Sequence, residues 1–271
     1  MLPRVIPFLV LLLAMAAPAQ QKSAFRWPDG KRAAVSLSFD DARLSQIDVG
    51  MPLFDRIGVK ATFYVSPGNL EKRIEGWKKA VAAGHEIANH SRSHPCTGNY
   101  GFSKRNALEG YTLERMEEEL DGANTIIQSL LGVKPVSFGY PCGLKFVGRG
   151  LETKSYVPLV ARGFLSGRGY RDEAANDPEI CDMAQLMGTG IDELTFDGMV
   201  KHASTALKEG RWVIFAGHEI GKTAFQTTDA AALEQFCRYA KDPANGIWLD
   251  TVESIGRYVV KQRSGGGAGG K

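Results

Sequence analysis

At 271 residues with 44% hydrophobic side chains, the chain can bury a full core, as one large α/β domain or two small ones. Its formal charge is +3, and its 33 basic and 30 acidic residues are interspersed, so no basic stripe points to nucleic acid.

The N-terminus reads "MLPRVIPFLVLLLAMAAPAQQ", with Arg4 early, an apolar run from Val5 to Met15, and then Ala17-Pro18-Ala19. This is the layout of a secretory signal peptide, expected to be cleaved after Ala19. A spanning helix needs about 20 apolar residues, so no permanent membrane anchor is expected and the mature chain should be secreted or periplasmic. Residues 20–31 form an N-terminal extension and 32–262 a single domain. The Gly-rich 263–271 is expected to be a disordered tail.

No Pro/Gly/Ser linker interrupts residues 32–262. Short β-like runs occupy 33–39, 60–65, 85–90, 135–140, 163–168, 184–189, 211–217 and 246–250. Helical patterns fall between them at 45–57, 70–83, 112–131, 196–209, 228–240 and 251–262. Within 112–131, Leu113, Met116, Leu120, Ala123, Ile127 and Leu130 recur at helical spacing, and Gly132 supplies a C-terminal stop. Thr112 is followed three residues on by Arg115, so the start lacks a capping box. Strands that alternate with helices imply parallel pairing. Seven or eight such units suit a distorted (β/α)7-8 barrel, and the first strand lacks the G-x-G-x-x-G turn of a dinucleotide site.

In a parallel barrel, functional groups gather at the C-terminal strand ends. The first predicted strand ends in Asp40-Asp41, the third in "NHSRSH" with His90 and His94, the fourth in "GYPCG" and the seventh in "AGHE" with His218. Each alone has an ordinary structural reading, but together they share one predicted rim. Two imidazoles and one carboxylate make a three-ligand set for Zn2+ or a similar ion, leaving the other aspartate as a base and His218 to protonate a leaving group. Four cysteines, Cys96, Cys142, Cys181 and Cys237, permit up to two disulfides in three connectivities. Cys96 and Cys142 follow neighbouring predicted strands and could approach one another. A Cys96–His94 catalytic pair is disfavoured, because a nucleophile and its base usually meet through the fold rather than through sequence adjacency.

From about Arg32 to Val260 the chain resembles the polysaccharide deacetylases, the NodB-homology group of carbohydrate esterases. Their first motif, T-F-D-D, stands here as Ser38-Phe39-Asp40-Asp41. Their second, H-S/T-x-x-H, is complete as His90-Ser91-Arg92-Ser93-His94, and their fifth is "WVIFAGH", ending at His218. The resemblance implies a distorted (β/α) barrel, with Asp40 as general base, His218 as general acid, and Asp41, His90 and His94 as ligands of one divalent ion, Zn2+ or else Co2+, Ni2+ or Mn2+. The third motif, R-x-P-Y, appears as Gly139-Tyr140-Pro141-Cys142, so its arginine is missing and Cys142 replaces an aromatic whose backbone N–H helps bind the oxyanion. On this reading Cys142 keeps the oxyanion role, Tyr140 joins the substrate site, and Arg168 from the fifth strand takes the arginine's place. The fourth motif is not recognisable, and Asp172 is the nearest substitute. The implied partner is an acetylated glycan or amino sugar, with Tyr100, Phe102, Tyr140 and Trp248 available near rim segments for stacking. The alternatives are a carbohydrate-binding protein on a degenerate scaffold, or an amidase acting on small C–N bonds.

Overall fold

The computed structural model describes residues 25–265. The expected signal peptide and most of the Gly-rich tail lie outside these residues. Eight strands form the main sheet: β1 (Ala33–Asp40), β2 (Thr62–Val65), β3 (Glu86–Asn89), β4 (Ser137–Gly139), β5 (Ser166–Arg168), β6 (Thr189–Gly190), β7 (Trp212–Gly217) and β8 (Ile247–Leu249). Their order is β5-β4-β3-β2-β1-β7-β6, and every pairing is parallel. The last strand, β8, pairs with the start of β1, Ala34 opposite Trp248.

The sheet curls into a distorted barrel. Leu186 exchanges hydrogen bonds with Gly167 and Gly169 beside β5, and four residues on Gly190 pairs with β7. The 186–190 segment therefore bridges the two ends of the sheet. The helices, α1 (Met51–Ile57), α2 (Ile74–Ala82), α3 (Leu113–Leu131), α4 (Val157–Gly163), α5 (Phe196–Glu209), α6 (Ala230–Lys241) and α7 (Val252–Gly265), occupy the crossovers and the C-terminal end of the described chain.

Strand alternation sorts the side chains into two layers. On β1, Val35, Leu37 and Phe39 join the apolar core shared with the helices. The intervening Ser36, Ser38 and Asp40 are buried too, in the barrel interior. Thr62 and Tyr64 on β2, Glu86 on β3, Ser137 on β4, and Ser166 and Arg168 on β5 continue this polar column.

The sequence expectations map closely onto this frame. Thr112 caps α3 with its side chain, accepting from Arg115 N at 3.2 Å, so a lone threonine suffices without a capping box. The seven-residue α4 goes unpredicted, because it is short and begins with Val157-Pro158. The run at 184–189 forms a 3-10 turn (Met183–Gln185) before the two-residue β6. Trp248 is not at the rim: its strand pairs with the beginning of β1, and the ring packs on Trp27 and Tyr258 at the opposite end of the barrel. Among the described residues, no helix is long and apolar enough to cross a membrane.

Candidate active site

Asp40 is the last residue of β1, and Asp41 begins the turn that follows with φ 75°. The turn is held by Asp41 N–H donating to Tyr64 O at 2.9 Å and by Asn69 Nδ2 donating to Asp41 O at 2.9 Å. Gln46, fully buried just beyond, donates to both Asp40 O (2.6 Å) and His218 O (2.9 Å), tying the ends of β1 and β7 together.

The two histidines follow β3. His90 Nδ1 pairs with Gly139 O at 2.7 Å, which makes Nδ1 the protonated nitrogen and leaves Nε2 as a lone-pair donor. Gly139 is required there, since a Cβ would stand 2.9 Å from the Tyr64 ring and 3.0 Å from the His90 imidazole. Asn89 Oδ1 accepts from Ser91 N at 2.6 Å, and the buried Glu119 of α3 accepts from Ser93 N and Oγ at 2.8 and 2.7 Å. These bonds support Ser91 and His94 in left-handed backbone at φ 61° and 52°.

The loop brings both Nε2 atoms to one carboxylate oxygen. Asp41 Oδ1 lies 3.6 Å from His90 Nε2 and 3.4 Å from His94 Nε2. Two donors each about 2.1 Å from a tetrahedral ion stand about 3.4 Å apart, so the spacing fits a shared divalent cation. Asp41 Oδ2 accepts from Arg43 at 2.9 and 3.2 Å, which orients the carboxylate. Burial opposes the charged form of Asp41, but His90, His94, His218 and Arg43 outweigh it and hold the pKa below the usual carboxylate value. Burial, helped by His90, depresses His94 to about 4, so its imidazole is neutral near pH 7.

Arg168, at the end of β5, reaches Asp40 directly: Nη2 donates to Asp40 Oδ1, and both side chains are buried. The guanidinium lies over the Tyr64 ring, 4.4 Å from its centroid, and its Nη1 donates to Gly169 O at 2.8 Å. Gly188 permits this path, because a Cβ there would stand 2.4 Å from Arg168 Cδ. Asp40 Oδ2 faces His90 Nε2 at 3.9 Å.

Across the rim, His218 follows β7. Its Nδ1 pairs with Asp192 Oδ2 at 2.7 Å, and its backbone N–H donates to Asp192 Oδ1 at 3.1 Å. Thr228 Oγ1 donates to the same Oδ1 at 3.0 Å. Burial works against the imidazolium, but Asp192 and Asp40 overcome it and raise the His218 pKa above its usual value. The Tyr170 ring packs edge-on against His218, with centroids 5.3 Å apart.

The "GYPCG" turn departs from expectation. Tyr140 does not line the site: it is fully buried, its hydroxyl donates to Ala184 O at 2.7 Å, and its ring packs on Phe138 and Tyr156. Alternation on β4 sends Phe138 and Tyr140 outward from the barrel interior and keeps Ser137 and Gly139 on the other face. Cys142, at φ 55°, is bonded to Cys96. Asp172, the nearest substitute for the fourth motif, accepts from Gly188 N at 2.9 Å. Tyr100 and Phe102 are exposed on the loop after β3, with parallel rings 5.3 Å apart and Phe102 beside His94 at 6.2 Å.

Sequence reasoning missed Asp192, Glu119 and Arg43. The signal for Asp192 was the rim rule itself, since it is the first acid past the sixth strand. Glu119 sits among other acids on a helix, and nothing in its spacing separates it from its solvated neighbours Glu117 and Glu118.

Residues 27–147 match the family model described as polysaccharide deacetylase, bearing out the resemblance carried by the motifs. Protein YlxY of Bacillus subtilis (strain 168) is 33% identical over 93 residues, 34% of this chain, and a gellan lyase of Bacillus sp is 27% identical over 119 residues, 43% of this chain. The chain spans 26% of the first relative's length and 4% of the second's. A Mycobacterium smegmatis protein assigned to the polysaccharide deacetylases superposes with a TM-score of 0.64 at 18% identity, covering 88% of this chain and 94% of that one. Puue allantoinase gives 0.62 at 16% identity over 90% and 97%. These structural likenesses show the fold.

Proposed function

We propose that this polysaccharide deacetylase-type chain is a secreted, metal-dependent hydrolase that removes acetyl groups from a carbohydrate. The observation that carries the reading is one rim that gathers the Asp41, His90 and His94 donors with two buried, paired groups suited to proton transfer. One is Asp40 paired with Arg168, and the other His218 paired with Asp192.

His90 Nε2, His94 Nε2 and Asp41 Oδ1 would hold the ion; two imidazoles and a carboxylate suit Zn2+, and Co2+, Ni2+ or Mn2+ are compatible. A divalent ion bound there supplies Lewis acidity toward the acyl carbonyl and an attacking water. Arg168 occupies Asp40 Oδ1 and leaves Oδ2 as the oxygen that would accept a proton from an attacking water. By its place in the third motif, the backbone N–H of Cys142 would donate to the developing oxyanion. His218, whose pKa Asp192 raises, gives its Nε2 proton to the departing sugar nitrogen or oxygen, so acetate and a free amine or hydroxyl result.

The Arg168–Asp40 pair weighs against a binding-only protein, since the absent third-motif arginine was the reason for that reading. The apolar run from Val5 to Met15, with the layout of a secretory signal, and the Cys96–Cys142 disulfide both support an oxidising, extracytoplasmic location. Purified protein should release acetate from at least one of N-acetylated chito-oligosaccharides, peptidoglycan and acetylated xylan, and a chelator should abolish the release. Failure on every acylated substrate overturns the reading. Ring opening of allantoin without acetate release would place the activity with small cyclic amides instead.

A further inference from the structure

Both candidate metal-binding imidazoles are referenced to the end of β4 and the short turn that follows it. His90 is held by Gly139 O at 2.7 Å. His94 is linked through Cys96, two residues later, to Cys142, three residues beyond Gly139. Cys96 is fully buried, and its Sγ lies 3.8 Å from His94 Nδ1 while the other ring nitrogen faces Asp41 at 3.4 Å. The disulfide thus backs the imidazole on the edge opposite the ligand position.

Both ends of this link are unfavourable backbone for non-glycine residues, with His94 at φ 52° and Cys142 at φ 55°. Such conformations persist where the surroundings over-determine them. The backbone of Cys96 is bonded to Ser103 and Leu108, within its own loop. Leu108 O accepts from Gly148 N at 2.9 Å, so the two loops touch again farther along the chain. The covalent bridge is the tie next to the histidine.

We propose that the Cys96–Cys142 disulfide is a positioning device, holding the His94 loop against the Cys142 turn so that metal ligand and oxyanion donor stay in register. This rests on the metal-site reading above. Opening the bridge loosens His94 and the turn together while the barrel stays folded, lowering metal affinity and turnover reversibly.

The test measures Zn2+ binding by calorimetry, together with kcat and KM, for wild type, Cys96→Ser/Cys142→Ser, and wild type reduced by a phosphine and desalted without air. In the reduction, the disulfide and one water are consumed as the phosphine becomes its oxide and two thiols form. Thiol counts should rise from the two of Cys181 and Cys237 to four. The expected result is at least a ten-fold weaker Zn2+ Kd and a lower kcat in both opened forms, with recovery on re-oxidation. Hydrogen exchange should quicken at residues 91–97 and leave β1 protected. Val259→Ala, a core truncation at the far end of the barrel, controls for lost stability and should keep wild-type affinity. Wild-type affinity and kcat in both opened forms overturn the proposal alone. A wild-type protein that binds no divalent ion overturns the metal-site reading and this proposal with it.

Discussion

Arg168 carries its charge into the barrel interior with no exposed surface, and it pairs with an equally buried Asp40. Burial acts against its charge, but Asp40 outweighs it and raises the pKa. Removing one member of such a pair costs about 3–5 kcal/mol, because the other is left buried and uncompensated. Arg168→Met should therefore lower the urea midpoint by that equivalent and abolish acetate release; a loss under about 1 kcal/mol would mean that Asp40 is solvated. On the opposite side, Asp192 raises the His218 pKa, so its removal must lower it. A general acid works only while protonated, so activity falls as pH rises through that pKa. Asp192→Asn should reduce kcat and move the alkaline limb of the kcat/KM profile to lower pH. An unmoved limb would assign it to another group.

At the scale of the element, the histidine loop gains its shape from α3 as much as from its own sequence. Glu119 reaches from the helix to Ser93, and Asn89 donates to the helix carbonyl of Leu120 at 2.9 Å. The disulfide closes a separation of 46 residues across the same region. In the chain-entropy account, a loop of this size is worth about 4 kcal/mol. Cys96→Ser/Cys142→Ser should show that loss, or somewhat less, in denaturant titrations compared with oxidised wild type. An unchanged midpoint would mean that the unfolded chain gains little freedom from the cut.

The whole barrel has a second polar region, far from the metal ligands along β3. Buried His85 accepts from Ala61 N–H at 3.1 Å, and burial lowers its pKa to about 4. Neighbouring Glu86 accepts from Thr62 Oγ1 at 2.7 Å and from Glu253 N at 2.8 Å, yet burial raises its pKa to about 7. The depressed histidine contributes stability that is fully present above its unfolded pKa and is lost as pH falls from about 6.5 toward about 4. The raised carboxyl does the reverse, losing its contribution as pH climbs from about 4.5 toward about 7. Between about 4.5 and 6.5 the two slopes oppose each other. Glu86→Gln should uncover the histidine slope, with stability rising by up to about 1.4 kcal/mol per pH unit over that window. Chemical unfolding at several pH values measures it, and equal slopes in wild type and variant would remove Glu86 from the balance.

Local chemistry made much of this protein readable from residues alone. Apolar alternation and helical spacing located the eight strand positions and all the longer helices, since each pattern reflects one face meeting one core. The rim rule then gathered Asp40, Asp41, His90, His94 and His218, because a parallel strand delivers the residues at its C-terminal end to a common face. The short α4 escaped, having too few residues for a periodic signal. For distant groups the sequence offered the Cys96–Cys142 approach and the Arg168 replacement as expectations and missed Asp192; tertiary structure decided which of them meet. Arg168 reaches Asp40 from four strands away across the barrel, past a glycine that leaves it room. Asp192 reaches His218 because β6 lies beside β7, and Cys142 reaches Cys96 because the turn after β4 leans toward the loop after β3. Each is a pairing between segments far apart in the chain, set by sheet order and curl rather than by spacing.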